Sequence, residues 1–138
     1  MSSAIEELRH LLTRFKANPP AALGAIEAFE QEASFRLPDQ YRQFLLMADG
    51  GEGIVGPAGY TMLWHVADLL RFNREYEVQE YAPGLLVFGS NGGGEGFAFD
   101  LRSPEKPIVT IPFIGMNLAD ALPVADTFGG FLEYLAEL

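Results

Sequence analysis

The chain has 138 residues, of which 49% are hydrophobic and none is cysteine; nineteen Asp and Glu against nine Lys and Arg leave a formal net charge of −10. That hydrophobic share excludes the disordered class, and a domain of this length buries roughly two-thirds of its unfolded surface. The missing cysteines exclude disulfides, thiol catalysis and thiolate metal sites, and the acidity repels nucleic-acid phosphates and anionic membranes.

The first element in chain order is a helix. Ser3 and Glu6 have capping-box spacing, and Ile5, Leu8, Leu12 and Phe15 follow at helical intervals. This charged, amphipathic start reads neither as a signal peptide nor as a transit peptide. Asn18-Pro19-Pro20 ends the element, and Leu23, Ile26, Phe29 and Ala33 mark a second helix whose Glu27, Glu30 and Gln31 face water. In the third helix Pro38 suits the first helical position and Asp39 the positive dipole end. Its apolar face is Tyr41, Phe44, Leu45 and Ala48, and Gly50 or Gly51 supplies the left-handed residue that stops it.

Beyond residue 53 the period changes. Tyr60, Met62 and Trp64 alternate as on a strand, with Trp64 read as core; Val66, Leu69, Leu70, Asn73 and Tyr76 return to helical spacing. Pro83-Gly84 leads into a hairpin, Leu85 to Gly89 and Gly96 to Leu101, around a glycine-rich turn. Residues 107 to 113 form a further strand, whose flanking prolines imply a sheet edge or frayed ends. Thr127 caps a last helix carrying the stripe Phe128, Phe131, Leu132, Leu135 and Leu138. The expected fold is α+β: one domain over residues 1–138, a mostly antiparallel sheet packed with N-terminal and C-terminal helices. Its core should hold Tyr41, Phe44, Leu45, Trp64, Leu86, Phe88, Phe97, Phe99, Phe131 and Leu135.

The chemistry-bearing patterns are weak. A phosphate loop places backbone N–H groups at a helix start, usually beside a Lys. GSNGGGEG instead joins two strands and carries Glu95, while the loop after the third helix carries Asp49 and Glu52 at a negative dipole end. His10 and His65 are the only histidines and show no metal-ligand spacing; a cap or tertiary hydrogen bond is the ordinary role for His65. Neither Ser90 nor Ser103 lies in GxSxG. No catalytic residue, cofactor or metal is expected. The acids are unevenly spread, fourteen against five bases in residues 37 to 138. Acidity can serve solubility alone; otherwise Asp49, Glu52 and Glu95, expected in exposed loops, are the candidate contacts for a basic protein partner.

LGAIEAFEQEASFRLPDQYRQFLLMADGG, with Glu27, Phe29, Glu30, Leu37-Pro38, Tyr41, Phe44, Leu45 and Gly50-Gly51, resembles the N-terminal signature of the SUKH superfamily in its Smi/Knr branch. PGLLVFGSNGGGEGFAFDL and DTFGGFLEYL resemble that family's hairpin and closing helix, so the resemblance spans about residues 23 to 137. Asp49 departs from the Asn common before the paired glycines. The resemblance implies a non-enzymatic binding protein without a cofactor, while the missing cysteines point to a soluble protein of a reducing compartment, expected to be cytoplasmic. Bacterial members are similar to immunity proteins that neutralise the toxins of contact-dependent and polymorphic toxin systems, often nucleases or deaminases; fungal members resemble scaffolds of signalling and wall assembly. An immunity protein, a regulatory scaffold or adaptor, and an unrecognised enzyme or small-ligand binder therefore stay in play.

Overall fold

The computed structural model describes residues 4–138. Its frame is a seven-stranded sheet in which each strand pairs antiparallel with the next in sequence: β1 (Arg14–Ala17), β2 (Gly51–Val55), β3 (Gly59–Leu63), β4 (Leu85–Ser90), β5 (Glu95–Asp100), β6 (Ile108–Pro112) and β7 (Leu122–Ala125). Between β1 and β2 run α1 (Leu23–Ala33) and α2 (Asp39–Met47); between β3 and β4 run α3 (Leu69–Glu75) and α4 (Val78–Tyr81); α5 (Phe128–Ala136) closes the described chain. The expected α+β architecture is the one observed.

On one face, here called inner, α1, α2 and α5 cover the sheet. The stripe of α2 buries Tyr41, Phe44 and Leu45, and α5 buries Phe128, Phe131, Leu132 and Leu135. Their rings mesh with those of β4 and β5: Tyr41 lies 5.0 Å from Phe99, Phe44 4.8 Å from Phe128, Phe88 4.5 Å from Phe99, and Phe97 4.8 Å from Phe131. Tilted, edge-on and stacked pairs at these distances add to the burial of the ring surface itself. Thr127 caps α5 as expected, its Oγ1 accepting the Gly130 N–H at 3.0 Å. Leu138 lies beyond α5 and is exposed.

The outer face is divided. Over β4–β6 it is closed by a second apolar cluster in which Val78 and Ala82 lie on Leu85, Val87, Ala98, Val109 and Ile111. Buried Asn73 of α3 holds β4 where Phe88 bulges out of register: Oδ1 accepts the Val87 N–H at 2.8 Å, and Nδ2 donates to Val87 O at 2.8 Å and Leu69 O at 2.7 Å. Over β1–β3 the outward residues Arg14, Lys16, Glu52, Tyr60 and Met62 are exposed.

Several expectations are corrected. The first helix is a 3-10 helix, Glu6–Leu12, followed by a strand, so Phe15 packs inward from β1 instead of completing a helical stripe. Phe15 pairs with Gly53, and Leu11 O accepts the Gly56 N–H at 2.9 Å; these bonds to β2 and its turn compete with helix continuation. Ser3 of the capping box lies outside the described residues. Pro38 is the N-cap of α2, one position earlier than expected. Gly51-Glu52-Gly53 belongs to β2, where Gly51 (φ 145°) and Gly53 (φ 143°) take backbone angles that only glycine adopts readily. Residues 60–64 do alternate, but Thr61 and Leu63 point inward and Tyr60 and Met62 outward; Trp64 follows the strand and is half-buried. β6 is an interior strand, since β7, a short proline-bearing segment, forms the edge beside it.

Candidate functional site

The open outer face is built from three separate parts of the chain. β2 and β3 present Glu52, Tyr60 and Met62, and Glu52 pairs in register with Lys16 on one side and Met62 on the other. The Tyr60 hydroxyl donates to Glu52 Oε2 at 2.8 Å, and that hydrogen bond pushes the phenol pKa up. At the end of β3, Trp64 N–H bonds Phe88 O at 3.0 Å, which swings the indole out of the strand and over α3. There it meets Phe72 edge-on at 5.0 Å and lies parallel to Tyr76 at 6.0 Å, with 1° between the planes. Phe72 and Tyr76 share a face of the α3 segment because they are four residues apart. Tyr76 in turn stacks on Phe113, just after β6, at 4.5 Å. Gly96 makes this possible: a Cβ there would come within 2.9 Å of the Phe113 ring.

The resulting aromatic ridge borders two adjoining clefts. One, of about 300 Å³, is lined by Lys16, Asn18, Gly51, Glu52, Met62, Leu63, Trp64, His65, Asp68 and Phe72. The other, of about 200 Å³, is lined by Trp64, Phe72, Glu75 and Tyr76, so Trp64 and Phe72 wall both. Tyr60, Met62 and Tyr76 are 38%, 37% and 45% exposed, which is unusual for side chains of this size gathered on one face.

The candidate acids fall into different roles. Glu52 is exposed, but on strand β2 instead of in a loop after a helix. Glu95 is exposed as the first residue of β5, at the foot of the hairpin turn, where its N–H bonds Asn91 Oδ1 at 3.1 Å. Asp49 departs from the expectation of an exposed loop acid, with a side chain only 18% exposed. Its Oδ1 accepts the Val66 N–H at 2.8 Å and its Oδ2 lies 3.2 Å from His65 Nδ1. Asn18 Nδ2 donates to the Asp49 carbonyl at 3.0 Å and lies 3.4 Å from His65 Nε2. Asp49 thereby ties the start of β2 to the turn after β3, which supplies the N–H its helical turn would otherwise leave unpaired. Its charge also reaches Tyr41, whose phenol is pushed strongly upward, first by burial and then by that carboxylate.

His65 has the tertiary hydrogen bond expected of it, and its exposed ring edges the larger cleft. His10 lies exposed on the 3-10 helix. Among the described residues, no three His, Asp or Glu side chains gather as a metal site, and none of the helices is long and apolar enough to cross a membrane. The remaining ion pairs serve the fold. Arg42 binds Glu30 through two hydrogen bonds of 3.0 Å each, and Leu37 N–H adds a third of 2.7 Å. Arg102 clasps Asp100 at 2.9 Å.

The arrangement offers a broad aromatic and methionine surface with carboxylates at its border, the composition of a protein-binding face. Residues 20–134 match the SMI1 / KNR4 family (SUKH-1), and the chain belongs to that family. Domains of this family are in general non-enzymatic binding modules. No curated protein matches the sequence as a relative.

Proposed function

We propose that this protein is a non-enzymatic, cofactor-free immunity protein that binds a basic toxin of a bacterial polymorphic toxin system, a nuclease among the fitting classes, and neutralises it in the cytoplasm. The observation that carries the reading is the open outer face of β1–β3, where Tyr60, Met62 and Tyr76 stand exposed and half-buried Trp64 joins them to the face that bears Glu52. Aromatic and methionine side chains are the residues that anchor protein interfaces, and a carboxylate border on a chain of net charge −10 favours a basic partner. An inhibitor that covers a basic nucleic-acid channel competes with phosphates for the same cations. In this reading Glu52 and Glu95 touch the partner directly. Asp49 contributes at one remove, by holding His65 at the rim of the larger cleft.

The same face would serve a regulatory scaffold, and family membership favours that second reading equally. Co-expression with a candidate toxin, sought among the genes next to this one, separates them. The immunity reading expects restored growth of the toxin-producing cell and a stable complex of the two chains. Unrelieved toxicity together with no complex would contradict it, and a non-toxic partner on the same face would establish the scaffold.

A further inference from the structure

We infer that the smaller cleft, between Trp64, Phe72, Glu75 and Tyr76, is a receptor for one arginine side chain of the protein partner; this rests on the protein-binding reading above and names the group that the face recognises. Three of the four lining residues are aromatic and the fourth is a carboxylate, which are the two kinds of group that bind an organic cation. The volume, about 200 Å³, suits a single side chain.

Planarity selects among cations. Trp64 and Tyr76 present parallel rings, 1° apart in plane, and Tyr76 is fixed by its stack on Phe113. A flat guanidinium lying along these rings keeps its edge free to pair with Glu75 through two N–H groups, whereas an ammonium makes a point contact. The Glu75 carboxylate has no salt bridge to any described residue, so no cation must be displaced from it. The neighbouring bases Arg71 and Arg74 line a different cleft, beside α1. Arg71 nevertheless shows what the cluster accepts, since its guanidinium carbon sits 4.8 Å from the Phe72 ring centre. Because Trp64 and Phe72 also wall the larger cleft, a polypeptide whose arginine enters here can continue over Met62 toward Glu52. A free small cation could not use that continuation.

Trp64 is the single tryptophan of the chain, so its fluorescence reports on this cleft directly. The probes are two short peptides of equal length and charge, one arginine-rich and one lysine-rich, titrated at fixed ionic strength. The arginine peptide is expected to change Trp64 emission saturably and to bind about fivefold or more tighter than the lysine peptide. Glu75→Gln should weaken it about tenfold, the effect of losing one charge-assisted pair, and Tyr76→Leu by a similar factor, with folding of both variants checked by circular dichroism. Both residues are exposed, so neither change burdens the core. Equal affinity for the two peptides, or affinity unaltered in both variants, would overturn the inference. The same variants are then measured against the toxin. Neutralisation with undiminished affinity in Glu75→Gln and Tyr76→Leu would remove the arginine receptor and leave the immunity reading standing. Arginine-selective binding without toxin neutralisation would do the reverse.

Discussion

The two faces of the β-sheet use the same kinds of residue for opposite ends. On the inner face, Tyr41, Phe44, Phe88, Phe99, Phe128 and Phe131 are buried to 1% exposure or less and interlock across four elements, α2, β4, β5 and α5. On the outer face of β1–β3 and α3, Tyr60, Met62 and Tyr76 stay in water, and Trp64, Phe72 and Phe113 are half-buried. The first set is covered by α1, α2 and α5; among the described residues no helix lies over the second, since α4 packs on β4–β6. Aromatic content alone therefore says nothing about role. What distinguishes a core ring from a binding ring here is whether the chain supplies an element to cover it.

That contrast can be tested by substitution. Phe44→Ala, in the inner set, should lower unfolding stability by about 3–5 kcal/mol in denaturant titration, through lost transfer energy and the cavity left behind. A loss below about 1 kcal/mol would mean that the α2 stripe is not the packed face. Asn73→Ala should cost about 2–3 kcal/mol, because the Val87 N–H and C=O would be left buried without a partner. Full stability in that variant would show that the β4 bulge is held by something other than Asn73.

Acid should act on the covered side as well. Burial by itself raises the Glu30 carboxyl, but hydrogen bonds from Arg42 and Leu37 and the nearby arginine charges bring it below its ordinary value of 4.5. Asp100 is lowered first by its hydrogen bond from Arg102, below 3.8. A carboxyl depressed in the folded state contributes stability above its unfolded pKa and loses it as pH falls toward the folded one. Stability should thus hold down to about pH 5 and fall through the range below 4.5, and Glu30→Gln should flatten part of that fall at a cost of about 1–2 kcal/mol near neutrality. Thermal melts across pH check this; an unchanged acid slope in Glu30→Gln would exclude the Glu30–Arg42 pair as its source.

The smallest stability effects belong to the open face. Tyr60→Ser and Met62→Ser should shift stability by no more than about 0.5 kcal/mol each, as surface changes usually do, while weakening partner binding. Glu52→Lys and Glu95→Lys should slow association in a salt-sensitive way, and in addition speed dissociation if the side chains touch the partner. Asp49 needs separate treatment. Asp49→Asn keeps an acceptor for Val66 N–H, whereas a lysine there would break the junction and confuse binding with folding.

Much of the inner face was legible in the sequence, because a helical stripe such as Tyr41, Phe44 and Leu45 reports its own burial. The hairpin was legible from its glycine turn, and its strands end within a residue of the expected limits. Strands β1, β2 and β7 were not. β1 continues a helical-looking pattern, β2 has glycines where inward side chains would mark a strand, and β7 is four residues with a proline. β3 shows a further limit: alternation fixes that two faces differ, not which one is covered. The acids of the site could be picked out singly, but the ridge could not, since Trp64, Phe72, Tyr76 and Phe113 meet only through the fold.

Hydrogen exchange of the protein alone and bound to its partner tests the central claim most directly. The account predicts new protection in residues 51–63 and 64–76, with the amides of α1 and α5 unchanged. Protection confined to α1, α5 or the β7 edge, with residues 51–76 exchanging as in the free protein, would contradict it.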